Sequence, residues 1–295
     1  MKRTLKILPV ITAIILSACQ DVVQVKLDEG EKKYVIDAFI NDLRSPQRVR
    51  VIFNNAYFSS AEPEPVPDAT VILKDLTSGT QFQFRYENNG DYVYNLSPPD
   101  TIARIGHQYE LNVTINGLNY TALTVQKRSA IMDTIISELI PPGSSSFGPP
   151  SADSLWMCTL SAFDITDLST DYYWIKTFRN DTLLFGPADI NVSIDGTNGP
   201  ISIEGVPFTA FTPPVTFMGF KMYRSGNSCT AEIHSISRDT YFFFIQASGQ
   251  INNTGLFATT PQNIKTNIVS PAGAPTRATG WFNMASVVSQ KIIIR

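Results

Sequence analysis

The sequence predicts a mainly β protein. An N-terminal β-sandwich of immunoglobulin-like or transthyretin-like type is expected over residues 34–137, and a second β-rich domain with one short helix over residues 155–295. Between Tyr34 and Arg128 about seven short β-rich runs follow one another at close intervals, the spacing of an antiparallel sandwich. Turn-forming pairs such as Asn116-Gly117 separate the runs and supply the positive φ values a tight hairpin needs. Eighteen phenylalanines and eleven tyrosines provide apolar side chains for two cores.

The chain opens on Lys2, Arg3 and Lys6, followed by the apolar run ILPVITAIILSA. A basic start before a short apolar stretch reads as a signal peptide over residues 1–18. The run falls short of the roughly 20 apolar residues a membrane-spanning helix needs. Its end, Leu16-Ser17-Ala18-Cys19, looks like a bacterial lipobox, in which small residues admit the peptidase and the cysteine thiol takes a diacylglycerol. Cys19 is the expected lipid attachment site, and acyl chains at about 0.8 kcal/mol per buried methylene would tether the chain to a bilayer. An ordinary secretory leader with a chance cysteine is the alternative. Residues 19–33, polar and charged, read as a tether.

The sandwich strands come in order. YVIDAFI is mostly apolar, VRVIF is β-rich, and TVILKD leads through a turn into TQFQFRY, where Phe82, Phe84 and Tyr86 alternate with polar residues. NNGDYVYNL puts Tyr92, Tyr94 and Leu96 on one face, and YELNVTINGLNYTAL forms a hairpin about Asn116-Gly117. The stretch ELIPPGSSSFGPPSADS, residues 138–154, is rich in Pro, Gly and Ser and reads as an interdomain linker or a long surface loop. Beyond it, LWMCTLSAFDI and DYYWIKTFRNDTLLF are strand-like. SISRDTYFFFIQASGQINN fits a helix capped by Ser237, with Asp239 in the first turn and Tyr241, Phe244, Ile245 and Ser248 on one face; YFFF also fits a buried strand. GWFNMASVVSQKIIIR closes the chain as a terminal strand pair.

Chemistry-bearing patterns are sparse. Of three cysteines, Cys158 and Cys229 remain once Cys19 is lipidated; an even pair in an exported chain suggests a disulfide, two separate buried thiols being the other reading. The two histidines, His107 and His234, lack a second ligand at metal spacing and read as surface or hydrogen-bonded side chains, so no metal is expected. Neither a nucleophile elbow nor a phosphate-binding loop occurs, so no catalytic residue and no cofactor are expected. Close carboxylates such as Asp164 with Asp167 read as solvated turns. The formal charge of −3 gives no electrostatic reason to bind nucleic acid. Tyr172, Tyr173 and Trp174 are candidates for an aromatic platform that stacks sugars, although strand alternation turns at least one of them into the core. Asp-Ser/Thr-apolar tripeptides at Thr101, Thr134, Ser154 and Thr182 resemble an O-glycosylation acceptor pattern, which would require those residues to be exposed; turn-forming composition explains them equally well.

Taken in order, the lipobox, KKYVIDAFI, PDATVILKD, NGDYVYNL, GHQYELNV and the closing LFATTPQNIKTNIVSPAGAPTRATGWFNMASV resemble the domain-of-unknown-function 4249 family of Bacteroidota outer-membrane lipoproteins. The most specific part is the C-terminal block, with Phe257, Pro261, Asn263, Asn267, Ile268, Gly280 and Phe282. The resemblance implies an outer-membrane lipoprotein held by lipid through Cys19, often an accessory of a TonB-dependent barrel, with no catalytic residues to carry over. Asp21 close to Cys19 favours the cell surface over the periplasmic leaflet. The expected function is therefore a non-enzymatic binding subunit. A free glycan- or protein-binding adhesin is the alternative, and a hydrolase with a dispersed site a more distant one.

Overall fold

The structure is a computed structural model that describes residues 30–56, 59–97, 101–144, 151–163, 170–184, 186, 189–194, 207–212, 222–253, 259–260 and 262–295. The chain divides into two compact units. One comprises Met1–Glu31 with Ala56–Ser60, where the Ser59 amide donates to the Ala56 carbonyl at 2.9 Å. The other, Lys32–Asn55 with Ala61–Arg295, holds every element below.

The expected strand runs all form. They are β1 (Tyr34–Asn41), β2 (Gln47–Phe53), β3 (Thr70–Asp75), β4 (Gln81–Asn88), β5 (Asp91–Tyr94), β6 (Gln108–Ile115) and β7 (Leu118–Val125). Alternation decides which side chains enter the core. On β1, Ile36, Ala38 and Ile40 are fully buried, whereas Val35, Asp37, Phe39 and Asn41 point the other way. The β6–β7 hairpin turns on Asn116 and Gly117, at φ 50° and 76°, the pair of positive values a two-residue turn needs.

An eighth strand completes this sheet, and it comes from the far end of the chain. β15 (Ala278–Ala285) runs parallel to β1 over all eight of its residues, giving the order β15-β1-β2-β5-β4-β3-β6-β7. A bridge between Lys127 and Ala285 then brings the two ends of the sheet together, so it closes around its core. Gly280 makes the β1–β15 approach feasible. Its φ is +110°, and a Cβ there would collide with the Ile36 carbonyl. Asn267 locks β15 from its other side, its amide donating to the Phe282 carbonyl (2.7 Å) and accepting from the Phe282 amide (2.9 Å).

The second module has two sheets. β8 (Ile131–Ile140), β9 (Leu155–Phe163) and β13 (Pro207–Thr212) form one, in the order β13-β9-β8. The other is built on β10 (Tyr172–Arg179) and β14 (Ser228–Ile236), with β11 (Thr182–Leu183) and β12 (Val192–Ile194) on β10 and β16 (Val287–Ile293) on β14. Ile135, Cys158 and Leu160 from the first pack with Tyr173, Ile175, Ala231 and Ile233 from the second to form a separate core.

Two boundaries differ from the sequence expectation. Of the two readings of the Pro/Gly/Ser-rich segment 138–154, linker or loop, the interdomain linker does not hold, because β8 pairs with β9 across it; residues 138–140 finish β8, and the module change falls near Lys127–Ala130 instead. The closing stretch is not a strand pair. β15 belongs to the first sheet and β16 to the second, with Ser286 between them, so residues 155–295 are not a self-contained domain. Composition reveals a turn or a strand, but not which sheet receives it.

The helix α1 (Arg238–Ile251) forms as expected, with the Ser237 hydroxyl oxygen accepting from the Thr240 amide at 3.1 Å and Asp239 in the first turn. Its buried face is Thr240, Phe244 and Ala247, rotated from the expected one, and Ile245 is exposed. The rotation follows from what α1 touches, for it lies against two sheets at once. Among the described residues no helix is long and apolar enough to cross a membrane.

Candidate functional site

The residues singled out in the sequence do not converge. Cys19 and the Asp164–Asp167 pair lie outside the described residues. Cys158 and Cys229, for which the sequence left a disulfide and two separate thiols open, meet in the second core as free thiols. Each has a polar partner there. The Cys229 thiol donates to the Tyr223 hydroxyl at 3.2 Å, and hydrogen bonding to Cys229 together with burial pushes the Cys158 thiol up. Thr101 and Thr182 are exposed, whereas Thr134 and Ser154 are half-buried. His107 is bound to Asp75 (Nδ1 to Oδ2, 2.8 Å) beside the β3–β4 turn. Although burial opposes it, hydrogen bonds from Ser78, His107 and Thr77 hold the Asp75 carboxyl below its ordinary value. That is a turn clamp.

The aromatic platform fails for a specific reason. Tyr173 is fully buried in the second core. Tyr172 and Trp174 share the opposite face of β10, and α1 covers that face. Tyr241 lies over Tyr172 at a centroid distance of 5.2 Å, and Phe244 over Trp174 at 4.8 Å. Phe39 of β1 completes the stack, 5.2 Å from Phe244 and 5.5 Å from Trp174. These rings join the two modules.

Polar groups share this junction. Trp281 Nε1 donates to the Thr240 hydroxyl (2.9 Å), which donates to Asn283 Oδ1 (2.9 Å), so α1 is pinned to β15 by hydrogen bonds as well as by rings. Asp37, on the outward face of β1, is solvent-exposed, yet the protein around it displaces enough water to push it up to about 6; that loss of solvation is the main cause and Asp91 adds to it, while Arg50 and Lys176 oppose. Burial also lowers Lys176, against the pull of Glu232 and Asp37. The Lys176 ammonium rests over the Trp174 ring, 3.9 Å from its centroid. His234 is lowered by burial, with its Nε2 2.8 Å from Glu232 Oε2. Perturbed groups in a cluster mark candidate sites, and ion-pair seams perturb them equally. Here Lys176 faces an acid from each module, Asp37 of β1 and Glu232 of β14, which makes the cluster a seam. Among the described residues no group of three or more His, Cys, Asp or Glu side chains is placed to hold a metal ion.

Two recesses flank the junction. The smaller, about 280 Å³, is lined by Trp174, Lys176, Leu183, Asp189 and Phe244. The larger is a groove of about 530 Å³ between α1 and the segment entering β15. Arg238, Asp239, Phe242 and Phe243 line its helix side, and Lys265 and Trp281 face them. Phe243 stacks on Trp281 at 4.6 Å and 17°, and the Arg238 guanidinium stands 4.9 Å over the Phe242 ring. Of these groove residues the sequence singled out only Asp239, and that as a helix-start residue rather than as part of a site. The signal was an aromatic run longer than one helix face can bury, which leaves Phe242 42% exposed.

No curated protein matches the chain. Among solved structures, the chicken CNTN1 FN1–FN3 domains are similar over 70% of this chain at 10% identity with a TM-score of 0.24, and this chain spans 63% of that one. A putative carbohydrate binding protein from Bacteroides uniformis ATCC 8492 is similar over 89% of this chain and 100% of its own, at 10% identity and a TM-score of 0.20. Neither likeness carries an argument about what this chain binds. The family model described as "Domain of unknown function (DUF4249)" matches residues 20–291, a span that runs through both modules, α1 and the closing strands. The chain belongs to the DUF4249 family.

Proposed function

We propose that the protein is a non-catalytic, lipid-anchored lipoprotein of the outer membrane that serves as an accessory subunit of a TonB-dependent barrel on the cell surface. The lipobox ending at Cys19 supports the anchor. The observation that carries the partner is the outer face of the three-stranded sheet. Register places Ile131 and Ile136 opposite Phe163 and Thr159, on one face of β8, where they are 55% and 48% exposed. Apolar side chains grouped on an open sheet face mark interaction surfaces, and a stable interface takes about 800 Å² from each partner. Thr134 shares that face, opposite Ser161. A glycan on Thr134 and a protein partner on this sheet would therefore exclude one another.

Affinity purification of the tagged lipoprotein from detergent-solubilised outer membranes tests the reading. A barrel protein recovered in stoichiometric amount, and released by Ile136→Asp, is the expected result. A lipoprotein that elutes alone sinks the subunit reading in favour of a free surface binder.

A further inference from the structure

The groove beside α1 has a chemistry of its own, independent of whether the chain docks on a barrel. We propose that it binds an acidic saccharide, a sugar bearing a uronic-acid carboxylate, with Arg238 and Lys265 holding the carboxylate and the aromatic side chains packing on the apolar ring face. Charge argues for an anion. The chain as a whole is acidic, at −3, yet the groove sets two cations, Arg238 and Lys265, against one carboxylate, Asp239. Among the described residues neither cation makes a salt bridge, and both residues are exposed.

The surfaces argue for a sugar. A pyranose offers an apolar C–H face beside a rim of hydroxyls, and the groove offers the exposed Phe242 together with Phe243, which the buried Trp281 backs, beside charged and amide side chains. Its volume, about 530 Å³, lies within the roughly 300–1,000 Å³ of small-molecule sites. The walls are preorganised. Thr266 donates to the Gly280 carbonyl at 2.8 Å, and Asn267 is doubly bonded to Phe282. Two backbone amides of the far wall are already engaged: the Lys265 amide donates to Gln246 Oε1 (3.3 Å) and the Ile268 amide to Thr266 Oγ1 (3.0 Å). A peptide adding as a strand needs such groups free, so their engagement favours recognition by side chains.

Titration calorimetry on the full chain in detergent micelles, with trigalacturonate as the probe, tests the assignment. Saturable binding at least about tenfold tighter than that of neutral galactotriose is expected. Arg238→Gln, Lys265→Gln and Phe242→Ala should each weaken it by about tenfold, and added salt should weaken it progressively. All three side chains are exposed, so the variants keep the parent fold, verified by an unchanged melting temperature. The proposal is overturned by absence of trigalacturonate binding, by equal affinity for the neutral trisaccharide, or by variants that bind as the parent does. Triglutamate binding as tightly as trigalacturonate would overturn it too and assign the groove to an acidic peptide.

Discussion

Replacing Phe244 with alanine should loosen the joint between the modules. Phe244 is 5% exposed, stacks on Phe39 of the first module at 5.2 Å and 17°, and lies 4.8 Å from Trp174 of the second. Truncating a buried phenylalanine costs about 3–5 kcal/mol, the spread reflecting how far the site collapses. Phe39 and Trp174 are only half-buried and can close in, so the lower end, about 3 kcal/mol, applies here. At roughly 2–4 °C per kcal/mol for a domain of about 200 residues, the melting temperature should fall by roughly 6–12 °C. Near-ultraviolet circular dichroism during heating is the suitable assay, since Trp174 and Trp281 both sit at the joint. Ile245→Ala is the internal control: it alters the next helix position, which is 46% exposed, and should move stability by no more than about 0.5 kcal/mol. If the two variants melt together, the junction is not held by these rings and the account of α1 as a clamp is wrong.

Asp37 carries a pH signature. Its folded pKa, about 6, exceeds the ordinary 3.8, so the native state holds the proton more tightly than the unfolded chain. Its stabilising contribution is full below pH 3.8 and is lost as pH rises through about 6; because Asp37 is solvent-exposed the effect is small, and Asp37→Asn should melt like the parent near pH 4 and only slightly higher than it at pH 7. A parent more stable than the variant at pH 7 would contradict this. Cys158 and Cys229 are both fully buried thiols, so a maleimide should leave them unmodified in the native chain and label both after denaturation; a purified chain lighter by two hydrogens would show a disulfide instead. Gly280→Ala drives a methyl into the Ile36 carbonyl at a left-handed φ, and its soluble yield should collapse, whereas Gly186→Ala, with open space around it, should not matter. Equal yields would mean β1 and β15 do not pair as closely as described.

The first sheet was legible because each strand states its own pattern. Alternation in TQFQFRY, the Asn116-Gly117 turn and the Ser237 cap are local facts, decided by residues within a turn or two of each other. The remainder depends on partners tens to hundreds of residues away. Nothing in GWFNMASV says that Trp281 will lie opposite Asp37 or that Phe282 will enter the first core, and nothing in DYYWIK says that α1 will cover Trp174. A shorter separation, still well beyond a turn or two, hid the groove, whose two sides come from α1 and from residues 265–267 and Trp281.

The C-terminal block that carries the family resemblance also closes the fold. Asn267 clasps Phe282, Ile268 and Phe282 fill the first core, and Gly280 admits the Ile36 carbonyl. These residues therefore have a structural reason to be what they are, the closure of a sheet by its last strand. That closure also fixes where Thr266 and Trp281 stand, since Thr266 is bonded to Gly280 and Trp281 to Thr240. A single device thus closes the fold and builds one wall of the groove. A change at Asn267 should then lower stability and saccharide affinity together, whereas a change at Lys265 or Phe242, which reach into the groove without supporting the sheet, should lower affinity alone. Only the second kind of variant separates what the groove binds from what keeps the chain folded.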